Sequence, residues 1–434
     1  MHMTESYRPA TTISMLPDDV LFNILDLYQK TSNVVRFASW NWHALRQVCR
    51  RWQQIIYLHP HSLNVKLRVS DGDPARKILG RWPTVLVEVN YFSQLDEDSI
   101  YASFLENPSR VCSVTLSLSS YLLAKTTAVM QKPFPALRTL VILPYGGNIS
   151  ALPDGFLAGS APRLEVLFLS GIPFPALQTF LSSASNLVRL ELLNMPKTNS
   201  ISPEALVACL AIMHKLDDLT IEFPSPTFHP IQLLLPETRV PLDHIQILKL
   251  TGSSVYLEDL VARIDTPQLK KLSINYTDQP NFEVSQMFSF INRLNCKIFQ
   301  FGNAGVYFDV PPYDISFAFH EEVNLGSHFM LEKAISLYIP GGGIELQVSN
   351  MTQVLHHTSA RLADVVHLEI SADGLEFNHQ DWGDIEESSW LNLLRPFTAM
   401  KKLCVVGDEL PGIIVPALEG ITGEMGIQLL PCSH

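Results

Sequence analysis

Apolar residues recur along most of this chain in one short unit, apolar-x-x-apolar-x-apolar. It is read at Val111-Val114-Leu116, Leu137-Leu140-Ile142, Leu164-Leu167-Leu169, Leu187-Leu190-Leu192, Leu216-Leu219-Ile221, Ile245-Leu248-Leu250 and Leu269-Leu272-Ile274. The first positions of these units are 26, 27, 23, 29, 29 and 24 residues apart. Within each unit the last two apolar positions are two residues apart, which predicts a short strand with one buried face. Between the units lie stretches of helical period, such as Ala176–Ala184 and Pro203–His214. Ser202-Pro203-Glu204 is a start signal for the second, because Pro is favoured at the first helical position. Strand alternating with helix predicts right-handed crossovers and a parallel sheet. One unit cannot bury its own apolar face, so neighbours must stack. Weaker copies follow at Cys296-Phe299-Phe301, Ala334-Leu337-Ile339, Val365-Leu368-Ile370 and Met400-Leu403-Val405, now 38, 31 and 35 residues apart. The regular pattern therefore ends near residue 296, and 303–333 reads as an insertion or a much diverged unit.

The first sixty residues carry a different period. Leu16-Pro17-Asp18-Asp19 looks like a helix start, with two carboxylates at the positive end of the helix dipole. Val20, Leu21, Ile24, Leu25 and Tyr28 follow as one apolar stripe. Trp42, Leu45, Val48, Cys49, Trp52, Ile55 and Ile56 form a second stripe, interleaved with Arg46, Arg50 and Arg51. That predicts an amphipathic helix of about four turns with a basic face, ending near His59-Pro60.

Leu16-Pro17-x-x-x-Leu21-x-x-Ile24-Leu25, followed by Leu45-x-x-Val48-Cys49-Arg50-Arg51-Trp52-x-x-Ile55 and Pro60, resembles the F-box. The Val-Cys-Arg-Arg-Trp stretch is similar to F-box-like proteins of mushroom-forming fungi. The connection Gln29–Asn41 is longer and more polar than that of the family, and a middle helix would fall near Asn33–Ser39. The resemblance implies a three-helix module that docks on the Skp-family adaptor of a Skp–cullin–F-box ubiquitin ligase. The repeated unit has the period of about 20–29 residues of leucine-rich repeats. It resembles the leucine-rich-repeat-like body attached to many F-box proteins. The expected architecture is α/β: an F-box-like helical module at 13–60, then an irregular leucine-rich-repeat solenoid with a parallel sheet at 61–434.

Charge separates the same two parts. The net charge is −12, yet residues 1–90 hold 11 Lys/Arg against 7 Asp/Glu, and the remainder 20 against 36. A basic head on an acidic body points to different partners for each. The acidic body argues against nucleic acid, which needs clustered Lys and Arg. The first twelve residues lack a signal-peptide pattern, and no apolar run approaches the ~18–20 residues of a membrane span. A cytoplasmic or nuclear protein away from membranes is expected. The six cysteines lack zinc spacing and are too sparse for a disulfide framework, so free thiols are expected.

Several motifs could suggest chemistry. Gly341-Gly342-Gly343 lacks the lysine of a phosphate loop and reads as a turn. His320-Glu321-Glu322 and His356-His357 lack a metal-ligand spacing. The acidic stretch Glu376–Glu387, with Trp382 and Trp390 nearby, reads as a solvated insertion or, alternatively, a loop gripping a basic partner. No catalytic residue, cofactor or metal is expected.

The expected role is therefore a substrate receptor, with a non-ligase scaffold for protein–protein interaction as the alternative. Adaptor binding is assigned to Leu16, Pro17, Val20, Leu21, Ile24, Leu25, Leu45, Val48, Cys49, Trp52 and Ile55. Strand residues that alternate with the leucines point to the other face. Arg189, Glu191, Thr220, Glu222, Lys249 and Lys271 are accordingly the candidates for holding an unknown target protein.

Overall fold

The computed structural model describes residues 15–32, 45, 47–58, 66–71, 73, 75–92, 97–196, 201–223, 238–280, 286–294, 302–309, 314–320, 333–340, 343–373, 385–407, 410–414 and 428–431. Every strong apolar unit forms a strand. After β1 (Lys66–Ser70) and β2 (Leu86–Tyr91) come β3 (Val111–Leu116), β4 (Thr139–Ile142), β5 (Val166–Ser170), β6 (Arg189–Leu193) and β7 (Asp218–Glu222). The short β8 (Val240–Pro241) and β10 (Ile264–Asp265) flank β9 (Ile247–Gly252), and β11 (Lys271–Tyr276) closes the regular series. From Leu137 to Ile274 no leucine or isoleucine of the six units is more than 4 % exposed. Each such burial is worth about 1.5–3 kcal/mol, which makes this ladder the main source of cohesion.

The remaining strands are β12 (Asn303–Asp309), β13 (Asp314–His320), β14 (Lys333–Pro340), β15 (His367–Asp373), β16 (Lys402–Val406) and β17 (Gln428–Pro431). Fifteen strands form one sheet in the order β1-β2-β3-β4-β5-β6-β7-β9-β11-β14-β13-β12-β15-β16-β17, and β8 pairs with β10 apart from it. All neighbours run parallel except β13, which is antiparallel to both β12 and β14. The expected mixed α/β fold with a large parallel sheet is present.

Helices return the chain between strands. Helix Leu177–Ser183 packs on Pro203–Leu210, which packs on Ser254–Ala262, which packs on Gln286–Arg293. Their apolar faces share one core with the inward strand residues. The expected start signal works: the Ser202 hydroxyl accepts the backbone N–H of Ala205 at 3.2 Å. Such a cap is worth about 1 kcal/mol. Buried Glu258 performs the same service from a neighbouring helix. Its carboxylate accepts the Met287 N–H at 2.9 Å, at the start of helix Gln286–Arg293, and the Tyr276 hydroxyl at 3.1 Å.

The period is lost after β11 for a topological reason. β12 follows β11 in sequence but lies three places away from it, beside β15. β13 and β14 fold back to fill the gap, and β14 takes the place beside β11. Within 303–333 the structure thus holds two full strands and the start of a third, neither a plain insertion nor one diverged repeat. The weak unit Cys296-Phe299-Phe301 lies outside the described residues, and the next strand begins at Asn303.

Candidate functional site

The N-terminal helices are Asp18–Ser32 and Arg50–Leu58, the second preceded by helical residues that break at Cys49. The expected four-turn helix is interrupted there. Leu21, Leu25, Trp52, Ile55 and Ile56 form a small core that also takes in Leu67 of β1 and Val85 beside β2. The helix pair is therefore seated on the first edge of the sheet. Four of the residues assigned to adaptor binding, Leu21, Leu25, Trp52 and Ile55, are 0–7 % exposed and hold the pair together. Leu16 and Leu45 are half-buried against the same core.

The others point outward. Val20 is 36 % and Val48 56 % exposed, and Pro17 and Cys49 are exposed as well. Leu27, not singled out from the pattern, is 61 % exposed. Val20, half-buried Ile24 and Leu27 recur at i, i+4 and i+7, one stripe beside the buried one. The sequence pattern ran Val20 and Ile24 together with Leu21 and Leu25 as one stripe and passed over Leu27. The basic face is partly spent: Arg51 pairs with Asp18 at 2.6 Å and donates to the Leu16 carbonyl at 2.6 Å. That clamp ties the second helix to the start of the first. Arg50 stays exposed, while Arg46 and the expected middle helix near Asn33–Ser39 lie outside the described residues.

The second surface is the open face of the sheet. On β5, β6, β7 and β11 half-exposed or exposed residues alternate with buried ones, so the leucine ladder faces the helices and its neighbours face away. Register brings all six target-binding candidates onto this face. Glu191 lies opposite Thr220, which lies opposite Lys249. Arg189 lies opposite Asp218, then Ile247, then Lys271. Glu222 sits opposite Thr251, one row further. Asp218, missed from the sequence, binds Arg189 at 3.1 Å, and Glu191 reaches the same guanidinium at 3.9 Å. Burial, with the Asp218 charge adding to it, pushes the Glu191 carboxyl up despite the opposing pull of Arg189. Missed too were Val141, Val166 and Phe168, half-exposed on the same face of β4 and β5. An alternation rule locates them, but a search for charged residues passes over them.

Other residues marked in the sequence take ordinary places. His357 stacks on Phe288 with ring centroids 5.0 Å apart, at the end of helix Ile344–His357. Gly343 caps the start of that helix, and Gly341 and Gly342 lie outside the described residues. Trp390 is fully buried against Phe308 and cannot belong to a gripping loop. Trp382 and His320-Glu321-Glu322 lie wholly or partly outside the described residues. Among the described residues no group of three His, Cys, Asp or Glu could hold a metal ion, and no helix is long and apolar enough to cross a membrane. The expectation of free thiols holds at Cys49, Cys112 and Cys209 but not at Cys404, which is disulfide-bonded. Burial pushes the Cys112 thiol up to about 11.

No protein-family model matches the chain, and no curated protein matches it. Any assignment therefore rests on the two surfaces themselves.

Proposed function

We propose that this chain is a substrate receptor of the Skp–cullin–F-box type. The helix pair docks on a Skp-family adaptor, and the leucine-rich-repeat-like body holds a target protein by the open face of its sheet. The observation that carries the reading is the outward stripe Val20, Ile24 and Leu27, with Val48 just ahead of the second helix. It sits within two motifs that resemble the F-box, on a pair whose own core is already closed by Leu21, Leu25, Trp52 and Ile55. Exposed aliphatic residues on a helix pair that does not need them for packing mark a partner face. Chemistry on the target would be supplied by other subunits, and this chain would contribute proximity.

The packing of the pair on Leu67 and Val85 favours a second reading, in which it only caps the sheet edge. Capture of a purified Skp-family adaptor separates the two. Wild type is expected to retain the adaptor, and a Val20→Glu, Val48→Glu variant to lose it by about 100-fold or more, since each change buries a charge in the contact. Both substituted positions are exposed, so the variant should keep the wild-type circular dichroism. Failure of the wild type to capture any adaptor leaves the helices as a cap. A scaffold outside any ligase would capture adaptor yet support no ubiquitin transfer to a bound target.

A further inference from the structure

We propose that the open face between β4 and β11 is zoned to read an extended target segment that presents an apolar, a basic and an acidic residue in that order, each about three residues apart. The inference rests on the reading that this face holds the target. Six neighbouring strands build the zones. β4 and β5 offer Val141, Val166 and Phe168, all half-exposed and uncharged. β6 and β7 offer Glu191, Asp218 and Glu222 against the single cation Arg189. β9 and β11 offer Lys249 and Lys271 and no acidic side chain on this face. Leu193 and Ile247 add apolar surface within the charged strands.

The charge balance decides the sign at each zone. Arg189 is shared between Asp218 and Glu191, which leaves the β6–β7 zone short of positive charge. Among the described residues Glu222 makes no ion pair, and Asp218 adds to the burial that raises the Glu191 carboxyl. A basic side chain of a partner would relieve the shortage. Lys249 is exposed and, among the described residues, makes no ion pair although its charge reaches Glu191, and it calls for an acidic side chain.

Geometry sets the spacing. Neighbouring strands lie about 4.8 Å apart, so zone centres two strands apart are separated by about 10 Å. A segment in the polyproline II conformation rises about 3.1 Å per residue with three residues per turn, so side chains three residues apart share one face and lie about 9 Å apart, one zone to the next. A segment crossing the strands therefore places every third side chain over a new zone. Like charges brought together by the wrong order are penalised, which makes order and not composition the basis of selection.

The test uses the full chain and two fluorescent peptides of identical composition. One is Gly-Leu-Ser-Gly-Arg-Ser-Gly-Glu-Gly, and the other has Arg and Glu exchanged. Fluorescence anisotropy is expected to show the first binding about tenfold more tightly at low salt, a preference that shrinks as salt screens the charges. A Glu222→Lys, Lys249→Glu swap keeps net charge and touches only half-exposed or exposed positions. It is expected to abolish the preference. Equal binding of both peptides, binding of neither, or a preference that survives the swap would overturn the proposal. Loss of the preference with adaptor capture intact would remove only the zoning. A preference without adaptor capture would remove the ligase reading and keep the zoning.

Discussion

The sheet behaves differently on the two sides of β11. From β3 to β11 one face is sealed by leucine and isoleucine while the other stays half-exposed, the alternation of a sheet packed on a single side. Across β13 both faces are closed, and on β14 the second face is closed at Ser336 while Tyr338 stays half-exposed. Ile315, Phe317 and Phe319 of β13 face the core, but Ser316 and Ala318 between them are 1 % and 0 % exposed. On β14, Ser336 is 5 % exposed although its register neighbour Ser273 on β11 is half-exposed. The same sheet thus offers an open face in one region and, around β13, two closed faces in the other. On that second face small Gly305, Ser316, Ala318 and Ser336 are closed in beside half-exposed Tyr307 and Tyr338, whereas Glu, Thr and Lys stand on the open face.

The sharpest way to break this comparison is one substitution made twice. Ala318→Lys places a charge in a fully buried position and is expected to cost at least about 4 kcal/mol or prevent folding. Thr220→Lys, on the open face, is expected to stay within about 0.5 kcal/mol. Urea unfolding of both variants measures the difference. Equal costs would mean that the two regions do not differ.

A smaller effect is expected at the junction between the regions. Glu258→Ala removes the acceptor of the Met287 N–H and of the Tyr276 hydroxyl. Two buried donors are stranded, at a cost of about 2–4 kcal/mol. Hydrogen exchange should show helix Gln286–Arg293 opening first, while the β4–β7 amides keep their protection.

The smallest effect belongs to the open face. A carboxyl raised in the folded state contributes stability only while it is protonated, and that contribution is lost as pH rises through its folded pKa. Glu191 is such a group, so its charge is a burden near neutral pH. Glu191→Gln is expected to raise the thermal midpoint slightly near pH 7 and to match wild type once the pH falls below the ordinary carboxylate range. A midpoint lowered by the substitution near pH 7 would show that Arg189 outweighs burial and Asp218.

Much of the regular half was legible because its physics is local. Every third-and-second apolar spacing from Leu137 to Ile274 became a strand, and the positions between them became one face. The topology after β11 was not legible, since the exchange of places between β12 and β14 depends on pairings distant in sequence. Alternation could not mark it either: Ile315 to Phe319 reads Ile-Ser-Phe-Ala-Phe, as a one-sided strand would, and only the smallness of Ser316 and Ala318 hints at closure. The helix pair was legible as two stripes, but periodicity alone did not separate Leu21 and Trp52, which hold the pair, from Val20 and Val48, which face outward. Arg189 was singled out as a target-binding candidate, and Asp218 on the next strand already pairs with it. Cross-strand partners of this kind appear only once register is known.

The most direct test of the receptor reading is a hydrogen-exchange footprint of the full chain with and without a Skp-family adaptor. The account predicts added protection in helices Asp18–Ser32 and Arg50–Leu58, with the β4–β11 amides unchanged. Unaltered exchange in both helices at saturating adaptor, or protection confined to the sheet, would contradict it.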